Sequence, residues 1–168
     1  MLTLFKNEFN LHTTSSAATI SKEAKSICLL IQDLVKEKFS SSLKLYIFDS
    51  GSCNGCELEL QLLFSPLYNL PLYGIEVTYD PSDADALLVT GLMTENMYLS
   101  LEMLLKELKS PKEIITIGDC PLFKAAFKNT FALKHNEKEQ LLKSFHIGGC
   151  PPEPLVLLQG IHEYLKNI

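Results

Sequence analysis

The sequence predicts an α/β domain built on a parallel sheet with helices covering both faces. Three observations lead there. Short β-branched and aliphatic runs recur at 43–48, 75–79, 86–90 and 113–117. Segments with apolar residues at helical spacing stand around them, at 21–39, 57–64, 95–109 and 154–166. The run Ala86-Leu87-Leu88-Val89-Thr90 is apolar without alternation, the pattern of a strand buried on both faces. Strands alternating with helices give parallel sheets, and ligands of such sheets sit beyond the carboxyl ends of the strands.

Taken in order, residues 1–19 are polar, contain Thr13-Thr14-Ser15-Ser16, and read as a mobile extension. Over 21–39 the residues Ala24, Ile27, Cys28, Ile31, Leu34 and Val35 share one helical face, and Ser21 is placed to cap the first turn. Cys28, on that stripe, reads as a small buried hydrophobe. Residues 1–42 are therefore expected to form an N-terminal extension with an amphipathic helix, and 43–168 the main domain. The strand at 43–48 runs into a loop of small residues. Residues 57–64 suit a helix, although Glu57-Leu58-Glu59-Leu60 also alternates as a strand would. Residues 66–74, with two prolines, are irregular, and Asp80-Pro81 ends the strand at 75–79. The helix at 95–109 shows Met97, Leu101, Leu104, Leu105 and Leu108 on one face and stops at Ser110-Pro111. A short helix is expected at 123–127, and 128–144 carries no clear pattern. Phe145-His146-Ile147 leads into the last cysteine, and the closing helix tolerates Pro154 in its first turn.

Composition narrows the function. The chain has 168 residues and a formal net charge of −5, which disfavours nucleic acid as a partner. No apolar run approaches the roughly 18 residues that span a bilayer, and the first residues lack the basic and apolar blocks of a signal peptide. The expected location is the cytoplasm. Five cysteines in a reducing compartment do not suggest a disulfide framework, and an odd number cannot pair fully within one chain.

Four of those cysteines are organised. Cys53 and Cys56 form a C-x-x-C in the loop after the first strand. Cys120 follows the strand at 113–117 in Gly118-Asp119-Cys120, and Cys150 stands in Gly149-Cys150-Pro151-Pro152. The predicted sheet brings Cys53, Cys120 and the loop at Gly91 to one edge. Four thiolates suit an iron–sulfur cluster of the four-iron type. Gly51 and Gly55 allow a tight turn and close amide approach to the sulfurs, and Gly148-Gly149 offers the same before Cys150. A structural zinc site and a thiol redox pair are the chemical rivals, but compact zinc modules usually pair their ligands twice, and here only one pair exists. Glu57 reads either as an acidic residue favoured in a first helical turn or as a carboxylate beside the metal, on a proton route or a partner contact. Glu59 and Asp119 read as structural or surface residues, and His146 as a satisfied or solvated histidine rather than one that hydrogen-bonds near the site.

Ser52-Cys53-Asn54-Gly55-Cys56-Glu57, Gly118-Asp119-Cys120 and Gly149-Cys150-Pro151-Pro152 with Pro154 together resemble the small subunit of [NiFe] hydrogenases, from Lys44 to the C-terminal helix. The most similar branch is the membrane-bound, energy-converting hydrogenases and formate hydrogenlyase, which is related to the cluster-bearing 20 kDa subunit of respiratory NADH:quinone oxidoreductase. The resemblance implies a flavodoxin-like domain holding one [4Fe–4S] cluster through Cys53, Cys56, Cys120 and Cys150. It implies an electron-transfer role, without catalysis by this chain alone, between a large catalytic [NiFe] subunit and further Fe–S subunits. Association with the cytoplasmic face of the inner membrane would be indirect, through those partners. A complex I-like, quinone-linked subunit is the alternative within the superfamily, and a structural zinc or scaffold protein the alternative outside it. Adjacent cysteines mark the first motif of the complex I subunit, whereas Asn54-Gly55 separates them here as in hydrogenases. Glu95 and Glu153 stand where basic residues are common in related sequences.

Overall fold

A computed structural model describes residues 19–107, 113–122, 124, 129–133 and 144–168. Its helices are α1 (Lys22–Lys38), α2 (Gly55–Phe64), α3 (Glu95–Glu107) and α4 (Pro154–Asn167). Its strands are β1 (Leu43–Asp49), β2 (Ile75–Val77), β3 (Ala86–Thr90), β4 (Glu113–Ile117) and β5 (Phe145–Ile147). Short 3₁₀ turns at Leu70–Tyr73 and Pro81–Asp83 flank β2. The strands form one sheet in the order β2-β1-β3-β4-β5, and every pairing is parallel. This is the flavodoxin-like order, with its switch point between β1 and β3.

Side-chain alternation distributes the core over the two faces. Leu43 and Leu45 of β1, Leu88 of β3, Ile115 and Ile117 of β4 and Ile147 of β5 share one cluster with α1, α2 and α4. Phe48, Leu87 and Val89 pack on the other face with Leu101 and Leu104 of α3. Strand β3 is buried along its whole length, as its unbroken apolar run requires.

Helix α1 packs on the sheet domain itself. Its Ala24, Cys28, Ile31 and Val35 are buried in the same cluster as β1 and α4. Ser21 caps it by accepting a hydrogen bond from the Ala24 amide at 3.1 Å. Cys28 is fully buried, and burial pushes its thiol pKa up.

The ambiguous segment after the first cysteines is helical. Cys56, Leu60 and Leu63 face the core, while Leu58 is 56% exposed. The alternation that suggested a strand comes from that one outward leucine. One boundary and one strand differ from expectation. Strand β2 ends at Val77 rather than at residue 79, because Thr78 Oγ1 accepts from the Asp80 amide and the Asp80 side chain accepts from the Ser82 amide, which starts the 3₁₀ turn. Strand β5 was not expected. Three residues centred on His146 are too short to show a period, and β5 is defined by its register on β4, with Ile115 opposite Phe145 and Ile117 opposite Ile147. The end of the helix expected over 95–109 and, apart from Lys124, the short helix expected at 123–127 lie outside the described residues.

The core assignment of α1 predicts a contrast within one helix. Ile31→Ala, at a position with no exposed surface, is expected to cost about 2–5 kcal/mol and to lower the urea midpoint. Leu29→Ala, at a position 49% exposed, should stay within about 0.5 kcal/mol of the parent.

Candidate metal centre

The cysteine loops meet because β1, β3, β4 and β5 run parallel and end at the same edge. The loop after β1 is shaped by Asp49, whose Oδ1 accepts from the amides of Gly51 at 2.8 Å and Ser52 at 2.7 Å. Such a turn around an aspartate is a local alternative to strand pairing. Ser52 Oγ then accepts from the Asn54 amide at 3.0 Å. Gly51 adopts φ +115°, and a Cβ there would collide with Thr94. The left-handed residue before α2 is Asn54, with φ 68°, whereas Gly55 is already the first helical residue. Gly55 therefore does not make the turn expected of it.

This loop is tied to the one after β3. Ser50 is fully buried, and both its amide and its hydroxyl donate to the Thr90 carbonyl, at 3.0 and 2.6 Å. The Thr94 amide and hydroxyl both donate to the Ser50 carbonyl at 3.0 Å, and the Leu92 amide donates to the Gly51 carbonyl at 3.1 Å. The loops after β4 and β5 are joined reciprocally. The Asp119 amide donates to the Gly149 carbonyl at 2.8 Å, and the Gly149 amide donates to Asp119 Oδ1 at 2.9 Å. Asp119 is thus a structural tie between the loops that carry Cys120 and Cys150. His146 is also satisfied: its Nδ1 lies 3.0 Å from Thr116 Oγ1, and burial lowers its pKa.

The four cysteines are brought within electrostatic reach of one another. Burial and then the charges of Glu57, Cys120, Cys53 and Cys150 push the Cys56 thiol up to about 12. Burial, then Cys150, Cys53, Asp119 and Glu57, raise Cys120. Cys56 and Cys120 are each 7% exposed, while Cys53 and Cys150 lie at the surface. A cavity of about 250 Å³ opens beside Cys53 and Cys120. Gly118, with φ +85°, has no room for a side chain, since a Cβ would stand 2.6 Å from Cys56 Sγ.

This donor set fits a polycationic inorganic group. Burial and the neighbouring acidic groups raise the cost of ionising Cys56 and Cys120, and a bound cationic group would supply the countercharge that holds them deprotonated. Among the described residues, no group of three or more His, Cys, Asp or Glu side chains is arranged to hold a metal ion.

The Asp49 and Asp119 ties were missed as part of the site. For Asp49 a signal was present, since Asp followed two positions later by Gly is turn chemistry. The second binding of Asp119 depends on a strand that the sequence did not reveal. Among the described residues no helix is long and apolar enough to cross a membrane.

Comparison with known proteins places this architecture. The chain is similar to the probable membrane-bound hydrogenase subunit of Pyrococcus furiosus, 31% identical over 120 residues that cover 71% of this chain and 72% of the relative. It is 32% identical over 136 residues to formate hydrogenlyase subunit 7 of Escherichia coli, covering 81% of this chain and 53% of that protein. Among solved structures, a chain of the membrane-bound sulfane sulfur reductase, an archaeal respiratory membrane complex, superposes with a TM-score of 0.61 at 26% identity, covering 75% of this chain and 70% of that one. Residues 53–164, which hold all four cysteines, match the family described as the 20 Kd subunit of NADH ubiquinone oxidoreductase, and the chain belongs to that family.

Proposed function

We propose that the chain is an electron-transfer subunit of a membrane-associated oxidoreductase complex, carrying one [4Fe–4S] cluster on Cys53, Cys56, Cys120 and Cys150. The observation that carries this reading is the convergence of three cysteine loops, far apart in sequence, at one sheet edge, with the sulfurs of Cys56 and Cys120 each under the charge of the other ligands. When bound, the cluster supplies one-electron chemistry. The chain binds it, orients it and sets its surroundings, and does not itself turn over a substrate.

Within the family, the hydrogenase-like assignment is favoured. The C-x-x-C spacing of Cys53 and Cys56 is that of the hydrogenase branch, and the chain is similar to a membrane-bound hydrogenase subunit and to a formate hydrogenlyase subunit. The partner is then a large [NiFe] subunit, with further Fe–S subunits taking or giving the electrons and the complex holding the chain at the membrane. The quinone-linked reading keeps a specific support of its own, the description of the matching family. The two differ in the partner, since only the first places nickel in the complex.

Anaerobic metal and sulfide analysis of the chain purified with its partner, with EPR of the reduced sample, tests this. About four irons and four sulfides per chain are expected, with a signal lost in Cys53→Ser and in Cys120→Ser. Zinc without sulfide would falsify the electron-transfer reading. The crowding at Gly118 gives a second expectation. Gly118→Ala adds about 1–2 kcal/mol of backbone strain and displaces Cys56 Sγ, so iron per chain should fall. Gly55→Ala should leave iron unchanged, because its Cβ would meet Cys53 Sγ at 3.6 Å, an ordinary contact.

A further inference from the structure

The four cysteines are not held equally. Cys53 and Cys56 share a loop in which Asp49 takes the amides of Gly51 and Ser52, and Ser52 takes that of Asn54. Ser50 and Thr94 fasten the same loop to β3. Losing one of these bonds leaves the others. Cys120 is buried and packs with Leu92 and Leu133.

Cys150 has less to rest on. It is exposed, and two glycines precede it. Gly149 stands at φ +136°, and a Cβ there would lie 2.6 Å from the Cα of Pro152, so no larger residue could supply packing. The chain is next held in α4, which starts at Pro154. Before that, the loop is held by the one after β4. The Gly118 amide donates to the Ile147 carbonyl at 2.8 Å, and the Asp119 amide to the Gly149 carbonyl at 2.8 Å. Any residue at 118 or 119 with an amide hydrogen could make those two. The bond from the Gly149 amide to Asp119 Oδ1, at 2.9 Å, needs the side chain. Among the described residues, it is the one side-chain hydrogen bond to the loop between β5 and α4. Asp119 is also a fixed post, since its own carbonyl accepts from the Lys124 amide at 3.1 Å.

We infer that Asp119 is the positioning residue for Cys150: its Oδ1 holds the Gly149 amide and so keeps the fourth thiolate in place. The inference rests on the cluster reading above and makes Cys150 the ligand most readily lost. The role calls for an acceptor oxygen at one point, not for a charge. Asparagine should therefore serve, and alanine should not.

The test uses the full-length chain in its complex, purified anaerobically. Four thiolates hold four irons, so Asp119→Ala is expected to lose about one iron per chain and to show the EPR spectrum of Cys150→Ser. Asp119→Asn should keep the iron and the spectrum of the wild type. Asp119→Glu keeps the charge but moves the oxygens by one methylene, and should follow Asp119→Ala. Hydrogen exchange in the full chain without metal gives a second readout. The Gly149 amide should exchange roughly tenfold faster in Asp119→Ala and Asp119→Glu than in the wild type and Asp119→Asn. The Ser52 amide, held by Asp49, should not change. Faster exchange at Ser52 as well would mean that a variant has unfolded, and the glutamate variant then decides in place of the alanine one. Wild-type iron, spectrum and Gly149 exchange in Asp119→Ala and Asp119→Glu overturn the assignment. So does Asp119→Asn behaving like Asp119→Ala. Iron lost all or none, with the spectrum of the remainder unchanged, leaves Asp119 a structural residue only and also overturns it. Failure of the cluster reading looks different: a wild type without iron or sulfide loses the cluster, while exchange at Gly149 still decides whether Asp119 holds the loop.

Discussion

The parallel pairing of β1 with β3, β3 with β4, and β4 with β5 is the constraint on which everything else depends. Each loop that bears a cysteine leaves the sheet at the same edge because each strand beside it runs the same way. A slip of one residue in any pairing would turn the inward side chains to the other face. It would also shift the Asp119–Gly149 hydrogen bonds that hold two cysteine loops together. Register is therefore not separable from ligand placement. The buried faces enforce it: Leu88, Ile115 and Ile147 belong to one cluster, and Leu87 and Val89 to the other.

Around that frame the polar interactions have a division of labour. Asp49, Ser50 and Thr94 shape the loop that carries the C-x-x-C pair and tie it to the loop after β3. Asp119 ties the two solitary cysteines to each other. These are local, mostly backbone-directed bonds, which place sulfurs without putting positively charged side chains beside them. Burial first, and the neighbouring acidic groups second, make the Cys56 and Cys120 thiols poor acids on their own.

Much of the fold was legible in the sequence because strong patterns carried it. The unbroken run of β3, the apolar face of α1 and the Ser21 cap need no tertiary information. Strand β5 was not legible, since a three-residue edge strand is defined by its partner rather than by its own residues. The meeting of the cysteine loops at one sheet edge was legible in their spacing and in the strand pattern, and Gly118 fits beside Cys56 as a small residue must. The role of Gly55 was misread because C-x-G-C suggests a glycine turn, while Asn54 takes the left-handed conformation and leaves Gly55 free to begin the helix. The setting of Glu57 was not legible, because it is assembled from β1, α2 and the exit of β2, and both carboxylate oxygens are buried there without a hydrogen-bond partner among the described residues.

The unequal exposure of the four cysteines has a consequence for traffic through the site. Cys56 and Cys120 back onto aliphatic packing that includes Leu60, Ile117, Leu92 and Leu133, while Cys53 and Cys150 face outward. Any redox group held there would be insulated from behind. A partner chain would come nearest to it around the outer rim where Cys53 and Cys150 lie, so the domain would present it as a socket open on one side.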